Sequence, residues 1–302
     1  MPVKFVYLTD NHYYPDAPKD FGAPKMLTQS DRILEAIVPA INALSPDFVL
    51  HGGDLLCGGG SFDWDSLTYD RALADVRKTF DGFDTPFYCI PGNHDCDAQT
   101  GSFEAFDRAF DTSNALSVER ISSKRWVARA NVYSDGVGMD TPQGVWSDRH
   151  DALLREADRE AVGADTAIIL CLHTWIFSDI SPDQGEPKGL VENADRLVAT
   201  LSDCASVIAS FHGHRHLNRI FAYRDFLNID TSCLVGYPLG FREVILHDRG
   251  YFETRFHTLP LPDLRQASYD RSTPQENSRW SGQPHDRDTE ILIPRLQHLW
   301  AR

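Results

Sequence analysis

The chain has 302 residues, 42% of them hydrophobic, and a formal net charge of −15. That length and apolar content suffice for one large core, built as a single domain or as a domain with a tail. The acidic balance, with no basic stripe to release counterions, argues against a protein that grips long nucleic acid.

Val3 to Leu8 is an apolar, β-branched and aromatic run that reads as a buried strand leading to Asp10-Asn11-His12. Ser30-Asp31 opens a helical stretch with apolar residues at Ile33, Leu34, Ile37, Val38, Ile41 and Leu44; Pro39 inside it predicts a kink or a split. Phe48 to Leu50 is the next strand and leads to Gly53-Asp54. Gly58-Gly59-Gly60 follows, either to let backbone approach a ligand or simply to turn the chain. A helix is predicted from Trp64 or Ser66 to Phe80, then a strand from Phe87 to Ile90 leading to Gly92-Asn93-His94-Asp95. Ser102 to Phe110 reads as a short helix. Strand signals from 111 to 150 are weak and centre on Trp126-Val127-Ala128 and Asn131-Val132-Tyr133. Asp148 to Ala161 reads as a solvated helix covering the sheet. Ala167 to Leu172 leads to His173, and Val207 to Phe211 leads to Gly213-His214-x-His216. Several short strands between Arg219 and His257 fit a second sheet. From about 263 onward the composition changes. Ser268 to Asp288 is polar, with Tyr269 and Trp280 as large apolar anchors, and such a segment buries little. The closing Ile291 to Leu296 and Leu299-Trp300 are apolar enough to dock on the chain's own body, or on a second subunit in a homo-oligomer.

No apolar run approaches the roughly 18 residues of a membrane helix, and no basic segment followed by an apolar one marks a leader. The expectation is a cytoplasmic protein with no membrane partner. Six cysteines without CxxC spacing, several inside apolar strands, read as reduced buried thiols. Cys57 and Cys96 lie beside the ligand-rich loops.

The polar islands follow strands, and in open α/β sheets the ligand site lies beyond the carboxyl ends of the strands. The islands therefore converge on one place. Asp10, His12, Asp54, Asn93, His173, His214 and His216 exceed what one ion requires and suit two ions sharing a carboxylate. Mixed imidazole and carboxylate ligation favours Mn, Fe or Zn over Ca or Mg. Paired ions typically clamp both oxygens of an in-line phosphoryl displacement and acidify a shared water. His51 and His212 flank these loops inside apolar strands and read as satisfied core or supporting groups. Asp95 either orients His94 or caps the following turn.

At Asp10-x-His12, Gly53-Asp54, Gly92-Asn93-His94-Asp95, His173 and Gly213-His214-x-His216 the chain resembles the calcineurin-like metallophosphoesterases, over roughly residues 3 to 260. The resemblance implies an α/β (α+β) fold, a four-layer αββα sandwich of two mixed sheets flanked by helices. The dinuclear site would lie at the strand ends. It also implies that Asp10, His12 and His216 hold one metal, that Asn93, His173 and His214 hold the other, and that Asp54 bridges. Asn93 and His94 would contact the substrate phosphate, with His94 as proton donor or transition-state contact. Residues 1–262 would form this domain and 263–302 a C-terminal extension. Cys57 stands where purple acid phosphatases place a tyrosine, and Leu56-Cys57-Gly58 and Asp95 replace the protein-phosphatase Asp-Arg-Gly and Glu. What remains is most similar to class III cyclic-nucleotide phosphodiesterases and broad-specificity phosphodiesterases. A small phosphodiester, cyclic nucleotide included, is the expected substrate, with a phosphomonoesterase, a nucleotide pyrophosphatase or a silent interaction scaffold as alternatives. The scaffold reading is weakened because every ligand, and His94 with them, is in place. Tyr13, Tyr14 and Trp175 are candidates for a stacking wall, and Arg242 is expected to pair with a buried acid instead of touching substrate.

Overall fold

The strand Val3–Leu8, here β1, alternates its side chains between two apolar environments. Phe5 and Tyr7 join an inner cluster with Phe48, Leu50, Ile169, Phe211 and Ile229, while Val6 and Leu8 join an outer one with Ile33, Ile37 and Val76. Both faces of the strand are therefore buried, which is why its sequence is apolar almost throughout. The computed structural model describes residues 2–295 except 23, 60–61, 63, 135–136, 138–140, 180–188 and 249.

In chain order β1 is followed by α1 (Ser30–Asn42), β2 (Phe48–His51), α2 (Ser66–Phe80), β3 (Phe87–Cys89) and α3 (Glu104–Phe110). Next come β4 (Leu116–Ser122), β5 (Arg125–Ala130), α4 (Asp148–Gly163), β6 (Ala167–Cys171), α5 (Ala194–Asp203) and β7 (Val207–His212). The chain continues through β8 (Arg219–Tyr223), β9 (Phe226–Asp230), β10 (Gly240–Leu246) and β11 (Tyr251–Thr258). It closes with α6 (Pro262–Asp270), α7 (Pro274–Ser281), α8 (Pro284–Arg287) and β12 (Thr289–Leu292).

Two six-stranded mixed sheets result, ordered β12-β11-β10-β1-β2-β3 and β4-β5-β6-β7-β9-β8. β1, β2 and β3 run parallel in the first sheet, and β5, β6, β7 and β9 in the second. Their inner faces pack on each other. Phe5 stacks on Phe48 at 4.8 Å and meets Phe211 of the opposite sheet edge-on at 5.5 Å. Helices α1, α2 and α3 cover the outside of the first sheet, and α4 and α5 cover the second through Leu154, Ala161, Leu197 and Leu201. This is the αββα sandwich that the resemblance implies.

Three expectations need correction. Helix α1 runs unbroken through Pro39. Pro39 and Glu35 are both exposed, so water can reach the Glu35 carbonyl that the proline leaves without its usual partner. Asn131-Val132-Tyr133 is a turn, because the Asn131 side chain accepts the Tyr133 N–H at 2.9 Å and folds the chain back after β5. The strands between Arg219 and His257 are divided between the sheets: β8 and β9 join the second, whereas β10 and β11 join the first beside β1, because β10 pairs antiparallel with β1. The polar segment from 268 to 288 is largely exposed, as its composition implies, and it is helical: α6, which enters it from Pro262, α7 and α8 each have proline in the first turn, and Thr273 and Glu276 cap α7 reciprocally. These local signals specify helices without a large apolar content.

Those helices are tied to the body by polar contacts. Ser268 donates to the Pro24 carbonyl at 2.8 Å and accepts the Tyr237 N–H at 2.7 Å. Buried Arg242 donates to the carbonyls of Asp286 (2.7 Å) and Asp230 (3.1 Å), to the Asn218 side-chain oxygen (2.9 Å) and to the Thr231 hydroxyl (2.8 Å), so uncharged oxygens satisfy it instead of the expected carboxylate. β12 pairs antiparallel with β11, and Arg295 donates to the carbonyls of Leu201, Cys204 and Val207. Leu296, Leu299, Trp300 and Gly60 lie outside the described residues.

Candidate metal centre

The carboxyl ends of β1, β2 and β3 and those of β6 and β7 point to the same edge of the sandwich, and the polar islands lie on the loops that leave them. Asp10 and His12 follow β1, Asp54 follows β2, Asn93 and His94 follow β3, His173 follows β6, and His214 and His216 follow β7. Three overlapping groups have potential ligand atoms within 4.8 Å of one another: Asp10, His12 and His216; His12, Asp54 and His94; and Asp54, His173 and His214. Asn93 joins the last group, its side-chain oxygen 3.0 Å from His214 Nδ1. The second group links the other two, since His12 belongs to the first and Asp54 to the third.

The backbone is bent hard to achieve this. Asp10, His12, Asp54, His214 and His216 all have positive φ, between 43° and 67°. Left-handed backbone costs a non-glycine residue roughly 1–3 kcal/mol and persists where the surrounding structure enforces it. The enforcement is visible. His51 donates to Asn11 Oδ1 at 2.7 Å and accepts the Gly53 N–H at 3.1 Å, while Asn11 donates to the Leu55 carbonyl at 2.7 Å. Asp95 accepts the N–H groups of Leu56 and Gly92, each at 2.8 Å. It thus ties the second loop to the third, a role that neither orients His94 nor caps the next turn. Gly92 has no room for a side chain, since a Cβ there would sit 2.2 Å from Asp54 Oδ1.

The donor set fits cations. His173 Nδ1 donates to the Gly52 carbonyl at 2.7 Å, which leaves the lone pair of Nε2 facing Asp54 Oδ2 at 3.2 Å. His173 Nε2 is buried without a hydrogen-bond partner. His12 Nε2 and His216 Nε2 face each other at 3.1 Å, with Asp10 Oδ1 3.1 Å from the latter. Acceptors crowded together this way repel unless a positive charge sits among them. Titration behaviour agrees. Burial would raise Asp54, but the charge of His173, followed by His94, pulls it well below the usual carboxylate range. Burial would lower His173, yet Asp54 lifts it to about 9; His216 is likewise lifted to about 9, against burial, by Cys233 and Asp10. His214, burdened by burial and by His173, falls to about 3.

His94 differs from its neighbours. Its Nδ1 donates to the Gly58 carbonyl at 2.9 Å, so Nε2 is the nitrogen left facing His12 and Asp54. Burial lowers its pKa. The six cysteines are all free and buried, burial pushes the Cys57 and Cys96 thiols up to about 12, and neither falls in a ligand group.

These groups open into a cleft of about 290 Å³ lined by His12, Asp54, His94, His214 and His216 together with Pro24, Lys25, Arg215, Arg279 and Trp280. The last four cleft side chains are absent from the sequence reading as site residues. Of the aromatic side chains expected there, Tyr13 is buried and bonded to Asp31 (2.9 Å) and Asp75 (3.1 Å). Tyr14 packs on Phe62 and Trp64, and Trp175 is buried under the Arg219 guanidinium at 4.4 Å. Trp280 of α7 is the aromatic side chain that lines the cleft. A roomier depression, about 850 Å³ at the β4–β5 turn and the end of α4, holds no acid–imidazole cluster.

The profile of the calcineurin-like phosphoesterases matches residues 3–218. The chain belongs to that family. No curated protein matches it in sequence. Among solved structures it is similar to a dimetal phosphatase from Danio rerio, with TM-score 0.70 and 13% identity over 96% of this chain and 99% of the other. It is also similar to GAP50, the anchor in the inner membrane complex of Plasmodium, with TM-score 0.53 and 15% identity over 86% and 85% of the two chains. A third is a protein designated a 5′-nucleotidase from Staphylococcus aureus, with TM-score 0.52 and 15% identity over 89% of this chain and 58% of the other. At these identities the likenesses establish the fold. Among the described residues no helix is long and apolar enough to cross a membrane.

Proposed function

We propose that this calcineurin-like phosphoesterase hydrolyses small phosphodiesters with the help of two bound transition ions, Mn, Fe or Zn. In this reading Asp10, His12 and His216 hold one ion, Asn93, His173 and His214 hold the other, and Asp54 bridges them. The observation that carries it is the convergence of these groups, with unsatisfied imidazole lone pairs facing carboxylates, at the floor of a cleft that also contains His94. When bound, the ions neutralise phosphoryl charge and supply a water acidified toward neutral pH. The chain's own residues do the rest. Asn93 and His94 orient the phosphate. His94, fixed through Gly58, presents Nε2 to the leaving oxygen. Burial and Lys25 disfavour its protonated form, so the anionic substrate itself provides the charge that favours a proton on Nε2 and its delivery to the leaving group.

The preference for a diester rests on the cleft's extent. It continues past the ligand groups to Lys25, Arg215 and Trp280, giving a second substituent on phosphorus something to touch. Residues 1–262 form the phosphoesterase domain in this proposal, and 263–302 an extension that adds one wall of its cleft. A silent scaffold is the competing reading, and the complete ligand set with His94 counts against it. The test is catalytic efficiency on bis(p-nitrophenyl) phosphate, p-nitrophenyl phosphate and 2′,3′- and 3′,5′-cyclic nucleotides with added Mn. Faster cleavage of the diesters is expected, and a monoester preference across the panel would overturn the diester assignment.

A further inference from the structure

The loop from β7 to β8 carries His214 and His216, and its two halves are held differently. In the first half the Gly213 N–H donates to the His173 carbonyl at 2.9 Å, and the His214 N–H donates to Asp10 Oδ2 at 3.0 Å. In the second half His216 has left-handed backbone, with φ 58°, and its Nε2 stands 3.1 Å from Asp10 Oδ1. Such backbone persists where its surroundings enforce it. The enforcement comes two residues on, at buried Asn218.

Asn218 uses its backbone N–H and both ends of its amide. The N–H donates to the Trp280 carbonyl at 3.0 Å, and the side-chain nitrogen donates to Ser232 Oγ at 3.1 Å and to the Ser281 carbonyl at 3.4 Å. The side-chain oxygen accepts the Ser232 N–H at 3.2 Å and the Arg242 guanidinium at 2.9 Å. The turn after α7 closes directly over this residue. A Cβ on Gly282 would collide with the Asn218 carbonyl oxygen and lie 3.1 Å from the Asn218 Cβ. Arg242 reaches from β10 of one sheet to Asp230 and Thr231 at the end of β9 in the other. It also donates to the carbonyls of Asp286 (2.7 Å) and Arg287 (3.3 Å) in α8, and Asp286 Oδ1 holds α8 on β8 by accepting the Ile220 N–H at 2.8 Å. Residues 280 to 287 therefore fix Asn218 both directly and through Arg242.

We propose that Arg242 and the α7–α8 turn position His216 through Asn218, so that the C-terminal extension governs one of the two ion positions. This rests on the reading in which Asp10, His12 and His216 hold an ion. Arg242, Asn218 and Gly282 are positioning residues and belong to none of the ligand groups. Supporting partners of ligating histidines typically contribute about 10–100-fold in metal affinity. His214 is restrained separately, by Asp10, so the position it shares with Asn93 and His173 persists when Asn218 is loosened.

The experiment strips the full-length protein of metal and titrates it with Mn by calorimetry. Electron paramagnetic resonance then separates an exchange-coupled pair of Mn ions from an isolated one. Gly282→Ala and Arg242→Lys should each weaken one Mn site about 10–100-fold and leave the other unchanged. At limiting Mn the signal of the pair should give way to that of an isolated ion, as in His216→Ala. Gly282 is half-buried in a turn, so Gly282→Ala keeps the test available if Arg242→Lys does not fold. Arg295→Ala supplies the comparison, since it cuts the extension's bonds to Leu201, Cys204 and Val207 at the end of β7 away from the ligands. It should lower the denaturation midpoint and keep both ions. Two sites of natural affinity in Gly282→Ala and Arg242→Lys, or the same lost ion in Arg295→Ala, would overturn the proposal. Fewer than two ions in the natural protein would overturn the ion assignment and the proposal with it. The expected selective loss, in protein that cleaves no ester when fully loaded, would instead sink the phosphoesterase reading and leave the positioning role standing.

Discussion

Asp54 sits where three demands meet: it lies in one group with His12 and His94 and in another with His173 and His214, accepts the His94 N–H at 2.8 Å, and leaves no room for a side chain on Gly92. Gly92→Ala should therefore displace Asp54 and reduce bound metal, as measured by elemental analysis of the purified variant; full metal content would show that the loop yields. Asp54→Ala should lose metal and turnover together, whereas His94→Ala should keep both ions and lower kcat by about 10²–10⁴-fold. Metal loss in His94→Ala with retention in Asp54→Ala would reverse those roles. Asp95→Asn tests the tie between loops. An amide oxygen can accept one of the two N–H groups while its NH₂ faces the other, and a buried unsatisfied group costs about 1–3 kcal/mol. A variant as stable as the natural protein, with unchanged metal affinity, would remove Asp95 from the account. The residues that gather at this edge were legible in the sequence because carboxylates and imidazoles directly after apolar strands carry their chemistry wherever the chain takes them. Lys25, Arg215 and Trp280 were not, since nothing local to a lysine or a tryptophan says which distant loop it will face.

Helices and strands show a similar division. Strands β1, β2, β6 and β7 were readable because both their faces are buried, which leaves runs of apolar residues. β4 was not: Leu116–Ser122 is an edge strand with mostly half-buried side chains, so its sequence carries polar residues and weak alternation. The tail helices were hidden for another reason, since their signals are caps and prolines, and composition alone misses both. Pro39 is where sequence logic and structure part most plainly. A proline inside a helix costs about 3 kcal/mol, less where water can reach the freed carbonyl. Pro39→Ala should therefore raise the stability by about 1–3 kcal/mol in chemical denaturation. No gain would mean that the helix end is already slack.

At the scale of the whole molecule, the two sheets bring five strand ends together and concentrate charge at one edge of an otherwise apolar sandwich. Without a cation, protons on His173 and His216 balance Asp54 and Asp10, and both imidazoles are lifted to about 9 from an ordinary 6.5. A histidine with a raised folded-state pKa gives stability that is complete below the unfolded value and lost as pH rises through the folded one. The chelated protein should therefore lose thermal stability between pH about 6.5 and about 9, and added Mn should flatten that slope by replacing the protons. A flat profile in the chelated protein would show that those imidazoles do not gain protons on folding.

The central claim is that two ions bound at these seven side chains make the chain a phosphoesterase. The most direct measurement is metal stoichiometry by elemental analysis together with bis(p-nitrophenyl) phosphate cleavage, before chelation, after chelation and after Mn is returned. About two ions per chain are expected, as for other paired-metal hydrolases, with activity lost on chelation and restored by Mn. One ion or none, in protein that stays fully active after chelation, would contradict it.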